Sequence, residues 1–401
     1  MMKYPFLSNS PELKKPVPIL QFLCRLLSPG ENHHEDPSLH KLITSGKVSW
    51  EQMVAVASNH FVITALWSEL LHKGLARSLP DELAQALSEM HRLNTLRNER
   101  IKEQVAEMVS RLNGIGLEPL LLKGAAHLYC GLFPDPGSRI IGDIDMLMRP
   151  DGVAPAVAGL ESLGYRRLTP KAIPPALPLH HLPPMGRPGD VAVVEVHTAL
   201  SMSIEPELVS VDAAWERAER IAVNGLRFRV LSPTHSLLHN LQHSEIHHHG
   251  HSRGLISVKS LYEHAYLVSR RSMEIDWAEI TSTMASNGVG SLLSSYLSMA
   301  NRLFGMPLPP QTGGGLLLPE LHFYRCLVQL RLPFLMEMGR TIGTIQWFFS
   351  PGMIHYKYGC ETTLPSITRG RLREVRFLVG EYILSGRVHE LLDNVRRLET
   401  G

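Results

Sequence analysis

Ile141-Gly142-Asp143-Ile144-Asp145-Met146-Leu147-Met148 decides the reading of this chain, because two aspartates separated by one residue stand in an otherwise apolar run of strand length. Successive side chains of a β-strand alternate between faces, so both carboxylates project to the same side. Two carboxylates side by side repel each other and are costly to desolvate unless a cation neutralises them. Such oxygen ligands select a hard divalent ion, Mg²⁺ or Mn²⁺, which takes one or two carboxylates, substrate phosphates and several waters. The alternative for an isolated Asp-Xaa-Asp is a pair of solvated carboxylates at a strand end.

Upstream, residues 118–122 form a short and almost wholly apolar run, the signature of a buried strand. Gly114 and Gly116 end the helix before it, whose apolar stripe is Ile101, Val105, Met108, Val109 and Leu112. Lys123-Gly124-Ala125-Ala126 opens a short helix, and the turn-rich Pro134-Asp135-Pro136-Gly137-Ser138 leads into a strand at 140–148. Downstream, 151–163 reads as a helix, 165–168 as a strand, 170–188 as a long loop and 191–196 as a strand. A last strand at 226–231 precedes Ser232, a good helix N-cap with Pro233 behind it. Residues 117–231 are therefore an α/β domain between helical regions at 1–116 and 232–401. Helices are expected at 237–241, 255–268, 277–284, 321–330 and 373–398.

Leu122-Lys123-Gly124, Arg139 followed by Asp143-Ile144-Asp145-Met146-Leu147, and the later Glu195-Val196-His197 together resemble a group of uncharacterised bacterial nucleotidyltransferases, members of the nucleotidyltransferase superfamily with its polymerase beta-like fold. The resemblance covers residues 117–231 and implies an α/β (α+β) core with a small mixed sheet. It implies Asp143, Asp145 and Glu195 as catalytic metal ligands for Mg²⁺ or Mn²⁺, with a nucleoside triphosphate as substrate and an acceptor that it does not specify. Lys123, Gly124 and Arg139 are implied on the nucleotide, with Arg139 clamping the triphosphate or pairing with an aspartate. His197, His243 and Arg253 are further candidates, touching the acceptor or supporting the metal ligands. One departure matters: better-studied members of the superfamily carry Gly-Ser where this chain has Lys123-Gly124, so no hydroxyl is available there, and a non-catalytic nucleotide-binding or scaffold protein is the alternative. Backbone amides after Gly124 and the Lys123 ammonium can still receive phosphate.

Glu195 shares a strand face with Val193 and His197 and reads as the third ligand and as a candidate base that activates a hydroxyl, with an edge-strand charge as the alternative. His239, His243 and His247 fall at helical spacing on one face, the head of a histidine-rich stretch reaching His251. No His-Glu-Xaa-Xaa-His pattern completes it, so it reads as a polar surface lining the acceptor pocket, with zinc binding as the alternative. Lys259 and Glu263, four apart, read as an ordinary helix pair, and Arg253 as solvated or touching a phosphate.

The chain of 401 residues is long enough for two or three structural units. With 40 basic against 38 acidic residues it lacks the polycationic field of a nonspecific nucleic-acid binder, and the C-terminal arginines alternate with acids as on an amphipathic helix. Cys24, Cys130, Cys326 and Cys360 form no Cys-Xaa-Xaa-Cys pair, and their scatter fits a reducing, cytoplasmic setting. The run from Val17 is broken by Pro18, Gln21 and Arg25 and is not a secretory signal, so the mature chain is expected to start here. The uncharged span 280–301 is serine-rich and reads as a helix pair rather than a membrane span. Residues 341–356 read as buried core, with a docking surface as the alternative.

Overall fold

Seven strands make one mixed sheet in the order β3-β4-β5-β2-β1-β7-β6. They are β1 (Leu120–Leu121), β2 (Asp143–Leu147), β3 (Arg166–Arg167), β4 (Met185–Gly186), β5 (Val193–His197), β6 (Glu219–Val223) and β7 (Leu226–Val230). The computed structural model describes residues 15–30, 37–168, 180–310, 317–358 and 363–378. At the centre, β2 runs parallel to β5 and antiparallel to β1, and the register sets Asp143 beside Val193, Asp145 beside Glu195 and Leu147 beside His197.

The strands read from sequence are present, mostly with tighter limits, the one expected at 191–196 running to His197, and two further strands join them. β4 falls inside the stretch expected to be a loop, of which residues 170–179 lie outside the described residues. β6 pairs with β7 across Asn224-Gly225, both with positive φ (50° and 78°), as a two-residue hairpin turn requires.

The Asp81–Gly114 helix links the sheet to the helical regions and holds the loop that leads into β2. Its second half carries the apolar stripe Ile101, Val105, Met108, Val109 and Leu112 into the sheet core. Its first half grips the loop backbone: the Asn94 amide donates to the Gly137 and Arg139 carbonyls at 2.8 and 3.0 Å, and Asn98 to Pro136 and Arg139 at 2.6 and 2.8 Å. These bonds fix the approach of Arg139 to the strand of aspartates.

A second apolar core is shared by helices from both ends of the chain, including Leu20, Leu23, Leu66, Tyr262, Tyr296 and Phe304. A buried polar knot crosses it. Glu69 accepts from the Tyr262 and Tyr266 hydroxyls and from Lys73 at 2.8 Å, while Lys73 also donates to the Leu26 and Ser28 carbonyls. The Trp277–Ser286 and Gly290–Phe304 helices are the helix pair expected over the uncharged span. Among the described residues no single helix is long and apolar enough to cross a membrane. On the Pro333–Phe348 helix, Ile342 and Ile345 are exposed, so the expected burial of residues 341–356 is not met on that face. The helix expected at 373–398 is seen as the end of Leu364–Leu378, and its remainder lies outside the described residues.

Candidate active site

Parallel register and period-two alternation bring three donors together from two strands. Asp145 lies directly across from Glu195, and His197, two residues on, shares its face. One oxygen of each carboxylate and one imidazole nitrogen all lie within 4.8 Å of one another. His197 Nε2 is 2.9 Å from Asp145 Oδ1 and 3.6 Å from Glu195 Oε2. Lys123 Nζ reaches the other side of the Asp145 carboxylate at 3.1 Å. The Asp145 and His197 side chains are each 1% exposed, whereas Glu195 keeps 19%.

Burial pushes the Asp145 carboxyl up, but Lys123 and His197 outweigh it and hold this group far below the usual carboxylate range. Burial likewise pulls His197 down, and its hydrogen bonds to Asp145 and Glu195 reverse the shift upward. Asp143 is outside the three-donor group and faces a large cavity. There burial, with Asp145 and Glu195 nearby, raises its pKa against the opposing pull of Lys123 and Arg139.

Lys123 takes a left-handed backbone conformation, φ 45°, at the turn from β1 into the Lys123–Cys130 helix. That conformation is costly for a residue with a Cβ and commonly marks functional turns. Gly124, next to it, has no room for a side chain: a Cβ would lie 2.3 Å from Arg139 Nη1 and 3.0 Å from Ile141.

The cavity has a volume of about 750 Å³ and takes walls from all three regions of the chain. Lys123, His127, Arg139 and Asp143 come from the α/β core, Asn59 to Phe61 from the N-terminal helices, and His239, His243, Lys259 and Glu263 from the C-terminal ones. Arg139 does pair with a carboxylate, but with Glu263 of the Val258–Arg271 helix (Nε and Nη2 to Oε2, 3.2 and 3.0 Å) and not with an aspartate of β2. His127 stands 3.6 Å from the other Glu263 oxygen. Burial would raise the Glu263 pKa, but His127, Arg139 and Lys259 bring it to about 2.

Glu263 is therefore engaged across the cavity wall, and the local Lys259–Glu263 pair expected from sequence is not what forms. Among the described residues the Lys259 ammonium has no hydrogen-bond or ion-pair partner, and burial, with Arg139 nearby, lowers its pKa to about 8. Sequence reasoning missed these cavity roles of Lys259, Glu263, His127 and Phe61, because each depends on elements far apart in the chain.

After Leu241 the α-helix gives way to a π turn, Gln242–His247; His239 and His243 both line the cavity, as the reading of a pocket-lining polar surface expected, and the His243 and His247 rings stack with centres 5.8 Å apart. His239 is buried and His243 lines the cavity with Nε2 3.2 Å from His248 Nε2, while His247 turns to Glu205 at 3.0 Å. His180 fills the space between, with ring centres 5.1 Å from His197 and 5.0 Å from His247. Arg253 is buried rather than solvated and lies outside the cavity lining, its carbonyl accepting from Gln329 at 3.0 Å.

A family model described as an uncharacterised nucleotidyltransferase matches residues 46–305, well over half of the chain. The matched span contains the α/β core, the Asn59–Phe61 turn and the helices that carry His239, His243, Lys259 and Glu263. Nothing among the curated proteins or the solved structures matches the chain.

Proposed function

Because the chain belongs to the uncharacterised nucleotidyltransferase family, we propose that it moves a nucleoside monophosphate from a nucleoside triphosphate to an acceptor hydroxyl, with the reacting phosphate between Asp143 and Asp145 and the cavity. The observation that carries the reading is the convergence of Asp145, Glu195 and His197 within 4.8 Å beside a cavity whose wall includes Lys123, Arg139 and Lys259.

The residues fit a divalent cation. Two carboxylate oxygens and one imidazole nitrogen form a mixed donor set, and the imidazole moves its preference from Mg²⁺ toward Mn²⁺. When bound, such an ion supplies counter-charge to the triphosphate and to the departing pyrophosphate. Asp143, facing the cavity from the same strand side, is proposed as a further ligand that the substrate completes.

The acceptor oxygen attacks the α-phosphorus, and the bond to the oxygen bridging the β-phosphate breaks. Pyrophosphate leaves with that electron pair, and the acceptor proton passes to a carboxylate, for which the partly exposed Glu195 is suited. Lys259 and Lys123 neutralise the polyphosphate, while Gly124, buried against Arg139 and Ile141 and outside the cavity lining, lets the Arg139 side chain pack close to the Lys123 turn. The protein's contribution is positioning and charge, as in phosphoryl transfer generally.

One observation favours a second reading, nucleotide binding without turnover: the Lys123 ammonium already sits on Asp145, and the first motif carries no hydroxyl. Pyrophosphate release from each of the four nucleoside triphosphates, with Mn²⁺ or Mg²⁺ and a mixture of hydroxyl-bearing small molecules as acceptors, separates the two. Release that disappears in Asp145→Asn supports transfer, binding without release supports the second reading, and no binding of any nucleotide removes both.

A further inference from the structure

Phe61 is an anomaly on two independent counts. Its φ is +55°, a left-handed backbone that an aromatic residue rarely adopts. It is a large apolar side chain left 60% exposed at the tip of the 120° turn between the Trp50–Asn59 and Ile63–His72 helices. Its neighbours in the turn are firmly held, with Phe61 N donating to the Ser58 carbonyl at 3.0 Å and Val62 N to Ala57 at 2.8 Å. The residues that follow, Val62 to Leu66, are buried in the helical core. The strained aromatic is thus presented by a rigid support, and what it faces is the cavity that Lys123, Arg139 and Asp143 also line.

Lys259 connects the two ends of this arrangement. Its ammonium lies 6.0 Å from the centre of the Phe61 ring and is in electrostatic range of Asp143, Lys123 and Arg139. Along the cavity wall the groups therefore run from carboxylates, through the Lys259 ammonium, to an aromatic face. A nucleoside triphosphate carries the matching sequence of chemistry, a polyphosphate joined through a ribose to a flat π-system.

We propose that Phe61 is the nucleobase platform of the site, on which the base stacks while the polyphosphate lies against Lys259 and Lys123. The inference rests on the nucleotide reading above and adds a recognition element that lies outside the α/β core. Stacking on an aromatic ring tolerates every base, so this contact sets affinity for nucleotides over bare polyphosphate and leaves the choice among bases to other groups. The backbone strain is the cost of aiming the ring at the cavity rather than at solvent.

The test compares binding of the four nucleoside triphosphates and of inorganic tripolyphosphate, by calorimetry with Mn²⁺ present, to the native full chain and to Phe61→Ala, Phe61→Trp and Phe61→Gly. Phe61→Ala is expected to weaken nucleotide binding by about 5- to 150-fold, to leave tripolyphosphate binding unchanged, and to be rescued by Phe61→Trp. Phe61→Gly is expected to lose nucleotide affinity in the same way while its Tm stays equal or rises, since glycine relieves the positive φ. If Phe61→Ala leaves nucleotide binding unchanged, or weakens both ligands equally, the platform is refuted and the nucleotide reading stands. If the native chain binds tripolyphosphate no more weakly than nucleotides, the platform is likewise refuted. If it binds neither, both readings fall together.

Discussion

Replacing Glu263 by glutamine should destabilise the fold and tighten polyphosphate binding at the same time. The carboxylate and its partner Arg139 are 9% and 11% exposed, and His127 and Lys259 lean on the same charge. Removing one member of a buried pair leaves the other charge uncompensated and costs about 3–5 kcal/mol. At roughly 2.1 cal/mol/K per residue, the entropy of unfolding for the 401-residue chain is about 0.8 kcal/mol/K, so the cost corresponds to a fall in Tm of about 4–6 °C. Scanning calorimetry reads this directly, with Glu263→Asp as the control that keeps the charge. The same change removes an anion from the cavity wall and releases the Arg139 guanidinium, so tripolyphosphate should bind several-fold more tightly. A Tm shift below about 1 °C, set against the 3–5 kcal/mol expected, would refute the account of this pair. Unchanged or weakened tripolyphosphate binding would show that Arg139 does not face the ligand.

Gly124→Ala should push Arg139 and Ile141 aside, lowering stability by about 1–3 kcal/mol and weakening nucleotide binding, readable from denaturant midpoints and calorimetry. Lys259, with its pKa lowered from 10.5 to about 8, should make polyphosphate affinity decline as pH rises through 8, and Lys259→Arg, charged throughout, should flatten that profile. The sign for stability is opposite. Between about 8 and 10.5 the unfolded chain holds a proton that the folded chain has released, so the Lys259 contribution to stability improves with rising pH over that window. His197→Ala should erase a preference for Mn²⁺ over Mg²⁺ in titrations of the metal alone, because the imidazole is the one donor in the group that favours the softer ion.

The chemistry-bearing strands were legible because alternation is a local rule: Asp143-Ile144-Asp145 and Glu195-Val196-His197 declare a shared face by spacing alone. Their mutual register is a contact between segments about fifty residues apart, and only the family resemblance suggested it before β2 and β5 were seen side by side. The Asn224-Gly225 hairpin carried a readable signal that the sequence reading passed over, two turn residues suited to positive φ between short runs. The π turn at Gln242–His247 had no comparable signal, although the histidines around it line the cavity as the polar-surface reading expected. Lys259 and Glu263 were misread for an instructive reason. Four-residue spacing predicts a local pair, but a guanidinium delivered from the core by the Asn94 and Asn98 clamp outcompetes the neighbour on the same helix. Phe61 was invisible as a site residue because its meaning lies in a backbone angle and a cavity built by other segments.

Calorimetric titration of a nucleoside triphosphate into the native chain and into an Asp145→Asn/Glu195→Gln double variant, each with and without Mn²⁺, tests the central claim most directly. The account predicts binding that needs the cation in the native chain and is lost in the double variant while its Tm shows it still folded. Equal binding by the folded double variant, or native binding indifferent to the cation, would contradict it.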